Sequence, residues 1–320
     1  MPETSIIFYR RIITKNVFKL LTEAYFEKFL FTRGRRWVIV APYRMSGLLR
    51  PMPHEGQHAC HSKEYSRIMS SLSPAPSTAP TERAVREDLA AAYRLMALFG
   101  MTDLVYTHLS VRLPGHEHAY LVNPYGFLFE EITASSLVVV DADGLPRQET
   151  SWPINPAGFV IHSAIHRSRP DAACVMHTHT LAGMVVAAQE QNILPLNQIN
   201  MEFYGRVGFH PYEGIAADDN LSERERLVRD LGTRNALILQ NHGLLTVGAT
   251  IAQTFYRMYY LEQSCRIQIA AQSTGVALHV PSEAQILRAR KQFEDDPDEG
   301  RLIWQALRRK LDREQPDYRD

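Results

Sequence analysis

Two histidines separated by one residue, His177 and His179, are the side chains of this sequence best placed to do chemistry. They follow an apolar run over residues 172–176 that predicts a buried strand. Side chains at positions i and i+2 of a strand leave the same face, so we expect both imidazoles to point into one space. Neutral imidazole nitrogens arranged in this way can bind a divalent metal ion.

A third histidine, His242, follows a second apolar run over residues 236–240 and lies in a turn of sequence Asn-His-Gly. Three histidines that leave one coordination position open are typical of a catalytic zinc site. The alternative is that His177 and His179 are ordinary polar residues at a strand end, and His242 favours the metal site. Because three imidazoles also suit iron, manganese and cobalt, the sequence predicts Zn²⁺ or another divalent metal.

The composition is that of a soluble globular protein, with 45% apolar and 22% charged residues. A formal net charge of zero gives no general attraction to nucleic acids or anionic membranes. No apolar run approaches the roughly 18 residues of a membrane-spanning helix. The three cysteines are odd in number and far apart, which favours a reducing compartment. We therefore expect a cytoplasmic protein with no membrane or nucleic-acid partner.

The charge is unevenly distributed and helps to divide the sequence. Residues 1–68 carry 12 Lys and Arg against 5 Asp and Glu, or +7, and the remainder carries 23 against 30, or −7. We expect residues 1–80, basic and then rich in Pro and Ser, to be a poorly ordered extension or an over-long start before Met69. A targeting peptide or a nucleic-acid-binding arm is the less favoured alternative for the basic part.

Helical and strand patterns alternate over the rest of the sequence and predict one α/β sandwich domain over residues 81–280. Residues 281–320 are expected to form a charged helical tail. The apolar spacing predicts helices over residues 85–99, 159–169 and 221–231, and a long helix that begins after a capping residue at Thr250. Further strands are predicted over residues 105–113, 119–122 and 137–140.

Several short blocks, taken together, resemble the class II aldolase/adducin superfamily over residues 81–275. Their order and spacing make the resemblance specific, although each block alone is weak. A further run over residues 155–166, together with Tyr212-Glu213-Gly214, is closest to the adducin-like branch. The blocks are Gly100-Met101-Thr102 with Thr107-His108-Leu109-Ser110, Asn123-Pro124-Tyr125-Gly126, residues 137–144, His177-Thr178-His179-Thr180, and residues 241–248.

The resemblance implies a fold and a set of site residues. The fold would be a central, mainly antiparallel sheet covered by helices, and the family's enzymes are commonly cyclic tetramers with active sites at subunit boundaries. The metal ligands would be His177, His179 and His242, and the metal would polarise the oxygens of a carbonyl substrate during cleavage of a carbon–carbon bond. Substrate binding would fall to residues of the matching loops: His108, Asn123 and Gly126.

The sequence departs from the zinc-dependent aldolases of this family at positions that bind phosphate and move protons. Gly158 stands where they carry an acid/base carboxylate, and Pro156 and Ala157 stand where they carry two serines. His108 stands at the asparagine of their phosphate loop. A phosphate group needs several oriented donors, so sugar-phosphate aldolase activity is not expected.

Two functional hypotheses follow. The first is a metal-dependent, aldolase-like lyase for a small, unphosphorylated hydroxy-carbonyl compound, with Glu202 and Tyr204 as candidates for proton transfer. Either of these residues is, by itself, more commonly an exposed loop residue. The second hypothesis is a non-catalytic, adducin-like module that binds a protein partner of the cytoskeletal kind. His162 and His166, four residues apart on a predicted helix, favour a structural role near the site.

Overall fold

A computed structural model describes residues 80–116, 118–214, 221–296 and 298–320 of the chain. The predicted extension over residues 1–80 lies outside the described residues, except for Pro80. Cys60 lies there as well, whereas Cys174 and Cys265 are described and are buried free thiols. None of the described helices combines the length and the apolar character that a bilayer crossing requires.

The centre of the described chain is one sheet of short strands. The strands are β1 (His108–Arg112), β2 (Tyr120–Val122), β3 (Val138–Val140), β4 (Cys174–Thr178), β5 (Val207–His210), β6 (Ala236–Leu239) and β7 (Gly243–Gly248). Their order across the sheet is β3-β2-β1-β4-β7-β6-β5, and every pair is antiparallel except β5 with β6. The predicted α/β fold with a mainly antiparallel sheet is therefore confirmed.

Helices cover both faces of this sheet. They are α1 (Glu82–Leu98), α2 (Pro156–Ser168), α3 (Leu181–Ala187), α4 (Gln198–Glu202), α5 (Leu221–Leu231), α6 (Ile251–Ser273), α7 (Glu283–Glu294) and α8 (Arg301–Glu314). Polar residues begin five of them, because one side chain before each helix accepts a hydrogen bond from a backbone N–H group in the first turn: Thr81, Asn155, Thr180, Asn197 and Thr250.

Alternation along the strands separates two apolar layers. Leu109 of β1 and Met176 of β4 belong to the layer that includes α1, α6 and α8. Val175 of β4 and Leu245 of β7 belong to the opposite layer, which includes α2 and α5. In the β1–β4 register, Ser110 pairs with Val175 and His108 pairs with His177. Because side chains alternate along a strand, these residues all lie on the α2 side of the sheet.

The C-terminal segment over residues 281–320 contains α7 and α8. Trp304 and Leu311 of α8, together with Tyr318, are buried in the same apolar layer as α1. Arg308 forms an ion pair with Asp88 of α1. The inner face of α8 therefore adds apolar side chains to the core of the domain and an ion pair to α1.

Candidate metal centre

His177 and His179 lie at the end of β4, where the sheet meets a cavity. His177 pairs with His108 across the β1–β4 register and with Leu245 across the β4–β7 register. The Nε2 atoms of His177 and His179 are 2.8 Å apart, so the two imidazoles meet as the i, i+2 spacing predicts. His177 is buried and His179 is half-buried.

Each of these imidazoles is held through its other ring nitrogen. Nδ1 of His177 lies 2.9 Å from the carbonyl oxygen of Leu244, and Nδ1 of His179 lies 2.9 Å from a carboxylate oxygen of Asp103. Because a carbonyl and a carboxylate only accept, both Nδ1 atoms carry the hydrogen. When both rings are neutral, as metal binding requires, both Nε2 atoms are bare and their lone pairs face the same point, where a cation can accept them.

The turn after β6 brings His242 to this pair. Asn241 adopts a left-handed conformation with φ of 55°, which asparagine tolerates better than most residues. The imidazole centre of His242 lies 4.7 Å from that of His177 and 4.8 Å from that of His179. A ring nitrogen from each of the three histidines lies within 4.8 Å of the other two.

Gly243 allows β7 to approach β4 closely enough to build this cluster. A Cβ atom at residue 243 would lie 2.3 Å from the carbonyl oxygen of Thr178 and 3.2 Å from Cδ2 of His179. Any other residue would push the two strands apart next to the histidines. The Asn-His-Gly turn therefore has a steric reason for its last residue.

Burial holds two of the three histidines, His177 and His242, in the neutral form that binds metals. Burial lowers the pKa of His242 to about 4, with smaller contributions from His179 and His210. Burial also lowers the pKa of His177 well below its ordinary value, followed by the effects of His242, His179 and His108. Three imidazoles, two of them with one ring nitrogen engaged by an internal acceptor, fit a divalent metal ion of the zinc type.

A cavity of about 510 Å³ opens beside the three histidines. Tyr106, Tyr125 and Tyr212 contribute aromatic wall, and Met184 contributes an apolar side chain. Asn155, Gly158 and His108 form part of the wall near the start of α2. The volume suits a small molecule, and the mixed polar and apolar wall is typical of a ligand site.

The three residues predicted to bind substrate are placed differently. His108 lines the cavity beside the metal ligands. Asn123 is buried next to the small pocket that adjoins His108, and its Oδ1 lies 2.8 Å from the hydroxyl of Tyr93. Gly126 is a left-handed turn residue, and its neighbour Tyr125 contributes to the cavity wall instead. The binding roles of Asn123 and Gly126 stay predictions.

Glu202 and Tyr204 are not among the residues that line the cavity. Glu202 is buried at the end of α4 and accepts a hydrogen bond of 3.1 Å from the hydroxyl of Tyr256 on α6. Burial raises the pKa of Glu202 to about 7. The hydroxyl of Tyr204 lies 3.5 Å from a carboxylate oxygen of Glu283 on α7. Their catalytic assignment stays a prediction.

Asp103, Ser110 and Asn155 are polar residues of this region that the sequence analysis did not select. Asp103 directly follows one of the blocks that resemble the superfamily, but a single aspartate in a predicted loop carries no signal of its own. Ser110 lies two residues after His108 on β1 and therefore on the same face of the strand, which the strand period could have indicated. Asn155 precedes a proline, as an N-terminal cap commonly does.

Comparison with known proteins identifies the class of this fold and site. The family model described as the class II aldolase and adducin N-terminal domain matches residues 87–269. An aldolase II superfamily protein from Pseudomonas syringae has a crystal structure similar to this one, with a TM-score of 0.71 and 49% sequence identity. That similarity covers 76% of this chain and 98% of the other. The chain belongs to the class II aldolase/adducin superfamily, as the sequence resemblance predicts.

Two further relatives represent the two branches of the superfamily. The solved structure of L-fuculose 1-phosphate aldolase from Glaciozyma antarctica is 30% identical, with a TM-score of 0.68, and the match covers 77% of this chain and 97% of that one. Alpha-adducin from Rattus norvegicus is 40% identical over 191 residues, which are 59% of this chain and 26% of the adducin. The chain is thus similar to an aldolase over nearly that protein's full length and to adducin over one part of it.

Proposed function

We propose that this protein is a divalent-metal-dependent, aldolase-like lyase that acts on a small hydroxy-carbonyl compound without a phosphate group. The metal ion we expect is zinc. The observation that carries the proposal is the convergence of His177, His179 and His242 at the wall of a cavity, with two bare Nε2 atoms 2.8 Å apart. Family membership in a superfamily that contains aldolases supports the same reaction class.

The residues of the site would have separate roles in the proposed reaction. His177, His179 and His242 would hold the ion, which supplies Lewis-acid polarisation of a carbonyl oxygen when bound. The carbonyl of Leu244 and the carboxylate of Asp103 fix the orientation of two ligands and make them better electron donors. Tyr106, Tyr125 and Tyr212 would pack against the carbon skeleton of the bound substrate.

The composition of the cavity wall supports an unphosphorylated substrate. Neither lysine nor arginine is among the described residues that line the cavity. Gly158 brings no side chain, and His108 offers a single ring nitrogen. Because a phosphate dianion requires several charged or N–H donors, a neutral polyhydroxylated carbonyl compound is the better match.

Proton transfer in the proposed reaction remains assigned, from the sequence, to Glu202 and Tyr204. The raised pKa of Glu202, about 7, is in the range that suits an acid or base at neutral pH. Glu202 bonds to Tyr256 of α6 and does not line the cavity, which argues for a structural role of this residue within a single chain. We also propose a homotetrameric assembly, as in enzymes of the superfamily, and a cytoplasmic location, supported by the buried free thiols Cys174 and Cys265.

The metal content of the full-length protein, purified without a chelator or a metal-affinity tag, tests the proposal. We expect about one zinc ion per chain by elemental mass spectrometry, because the site offers one set of ligands. Replacing His179→Ala should lower zinc affinity by more than about 100-fold, since losing only a supporting hydrogen bond typically costs about 10- to 100-fold.

The matched control is His279→Ala, which removes an exposed histidine outside the cluster and should leave the metal content unchanged. The metal-loaded protein should then cleave or form a carbon–carbon bond in at least one member of a panel of hydroxy-ketones and hydroxy-aldehydes. A folded protein that takes up no divalent ion would exclude the proposed reaction.

The second candidate function is a protein-binding module of the adducin kind. Two observations favour it: Gly158 at the usual carboxylate position and the 40% identity to alpha-adducin. This module would not need the metal for its function. A protein that binds zinc at His177, His179 and His242 but turns over no hydroxy-carbonyl compound would favour this candidate.

A further inference from the structure

A chain of hydrogen bonds runs from the cavity wall into the interior between β1 and α2. Nδ1 of His108 lies 2.9 Å from Nε2 of His162, and Nδ1 of His162 lies 2.7 Å from the hydroxyl of Ser110. The same hydroxyl lies 2.8 Å from Nε2 of His166. Nδ1 of His166 lies 3.0 Å from the carbonyl oxygen of Ala172, where the chain ends.

The chain of hydrogen bonds combines residues at the spacing of a strand with residues at the spacing of a helix. His108 and Ser110 are two residues apart on β1 and leave the same face of the sheet. His162 and His166 are four residues apart on α2 and lie on the side of the helix that faces β1. Ser110, His162 and His166 are each 2% exposed or less, so water does not compete for these bonds.

The end of the chain determines where each hydrogen lies. The carbonyl of Ala172 can only accept, so Nδ1 of His166 carries the hydrogen and its Nε2 is bare. The single hydrogen of the Ser110 hydroxyl is therefore donated to His166, and this hydroxyl accepts from Nδ1 of His162. Nε2 of His162 is then bare and accepts from Nδ1 of His108. Every ring has the same tautomer.

This order of hydrogens requires neutral rings, and burial supplies that condition. Burial lowers the pKa of His166 to about 3, an effect that Arg112 reinforces and the bond to Ala172 opposes. Burial also lowers the pKa of His162 well below its ordinary value, with His108 and His166 adding to the effect. The two interior histidines therefore stay uncharged across the physiological range.

At the cavity end, the chain leaves Nε2 of His108 without a hydrogen. This atom has no hydrogen-bond partner among the described side chains. A Cβ atom at residue 158 would lie 2.2 Å from both Nε2 and Cδ2 of His108. The imidazole of His108 thus fills the space that a side chain at Gly158 would need, and both residues line the cavity beside the metal ligands.

We propose that His108 selects the substrate by accepting a hydrogen bond from one of its hydroxyl groups, with the chain through His162, Ser110 and His166 holding the bare Nε2 in place. This inference rests on the proposed function and names its substrate class: a neutral hydroxy-carbonyl compound with a donating hydroxyl at this point. An anionic oxygen of a phosphate or carboxylate has no hydrogen to donate, and it would face a lone pair at His108.

The tautomer of His108 can be observed directly by nitrogen-15 NMR of the histidine side chains in the full-length protein. The His108 signals are identified by their absence in His108→Asn. We expect the hydrogen on Nδ1 of His108, His162 and His166. A hydrogen on Nε2 of His108 would overturn the inference, whatever the metal content of the sample.

Ser110→Ala breaks the chain at its centre and tests whether the chain positions His108. We expect a mixture of His108 tautomers in this variant and the original tautomer again in Ser110→Thr, which restores the hydroxyl. The matched control is Ser163→Ala, because Ser163 is also buried but bonds only to the carbonyl of Val160 on its own helix. One His108 tautomer in Ser110→Ala would show that the chain does not set it.

Substrate selection is tested by the binding of three probes to the zinc-loaded protein: dihydroxyacetone, its phosphate ester and 1,3-dimethoxyacetone, which has no hydroxyl donor. The wild type should bind dihydroxyacetone more tightly than either of the other two. In His108→Phe, which keeps a ring but removes the acceptor, the preference for dihydroxyacetone over dimethoxyacetone should fall about tenfold, the effect of one neutral hydrogen bond. His108→Asn, with an amide N–H, should bind the phosphate ester better than the wild type.

The zinc content of each sample separates two kinds of failure. A protein without zinc would refute the proposed function itself. A protein with about one zinc ion per chain that binds the phosphate ester more tightly than dihydroxyacetone would refute only the role of His108. An unchanged preference for dihydroxyacetone over dimethoxyacetone in His108→Phe would refute it as well.

Discussion

Titratable side chains are buried both at the end of β4 and at the end of α4. The two regions differ in whether these side chains line the cavity. At the end of β4, His177 and His179 use one ring nitrogen for an internal bond and leave the other at the cavity. Behind α6, Glu202 directs its carboxylate at the hydroxyl of Tyr256, and helices enclose the pair. Both regions shift pKa values through burial, but of the two only the first lines the cavity of about 510 Å³.

The difference shows that a shifted pKa alone does not locate a functional site. Glu202, with a pKa raised to about 7, has the value that a catalytic acid or base needs, yet it does not line the cavity. Burial lowers the pKa values of His177 and His242 too far for a role as charged groups, and that property suits metal ligands. Geometry at the cavity therefore ranks above the pKa as an indicator of function.

The largest expected effect that would sharpen this comparison concerns Glu202. Because its folded-state pKa is raised from 4.5 to about 7, its contribution to stability is fully present below pH 4.5 and is lost as the pH rises through about 7. The corresponding change in the free energy of unfolding is up to about 3 kcal/mol. Glu202→Gln should remove this loss, as measured by urea unfolding at several pH values.

The control for this measurement is Glu283→Gln, which changes an exposed glutamate on the neighbouring helix and should leave the pH profile of stability unchanged. If Glu202→Gln turns over substrate at the wild-type rate, the role of Glu202 is structural. A loss of turnover in a stable, zinc-loaded Glu202→Gln protein would restore the catalytic assignment and break the comparison.

A smaller effect is expected at Asp103, which supports the metal site from outside it. Asp103→Asn removes the negative charge that holds Nδ1–H of His179, so zinc affinity should fall about tenfold in a chelator competition assay. Asp143→Asn, an exposed aspartate paired with Arg167, is the control and should not alter zinc affinity. Equal zinc affinity in both variants would mean that His179 does not depend on Asp103.

The smallest effect concerns the contact between Gly158 and His108. Gly158→Ala adds a methyl group 2.2 Å from the imidazole and should break its bond to His162, at a net cost of about 1 kcal/mol after the gain in helix propensity. In the His108→Ala background the same change should stabilise the protein, because the clash is gone. Additive effects on thermal unfolding would show that the two residues do not share this space.

Strong local patterns made much of the fold predictable from the sequence. The helix predicted over residues 221–231 has the same bounds in the structure, and the one predicted over residues 85–99 spans Glu82–Leu98. The strands β5 and β7 were not predicted, because β5 has four residues with a glycine among them and β7 begins directly at the Asn-His-Gly turn. Both strands depend on their neighbours in the sheet, β6 for β5 and β4 and β6 for β7.

The burial of the C-terminal segment was also beyond the sequence pattern. The sequence predicts a charged helical tail over residues 281–320, and only packing against α1 shows that Trp304 and Leu311 enter the core. The sequence of an amphipathic helix shows that one face is apolar but not which element packs against that face. The burial of α8 therefore follows only from its contact with α1.

The sequence by itself determined the superfamily and the three histidines that can hold a metal, because their type, spacing and turn are local properties. Only the tertiary structure decided which groups support them. Asp103 reaches His179 across 76 residues, and His162 reaches His108 across 54. These partners meet because the antiparallel register and the packing of α2 on β1 bring distant residues together, and no local pattern in the chain encodes that distance.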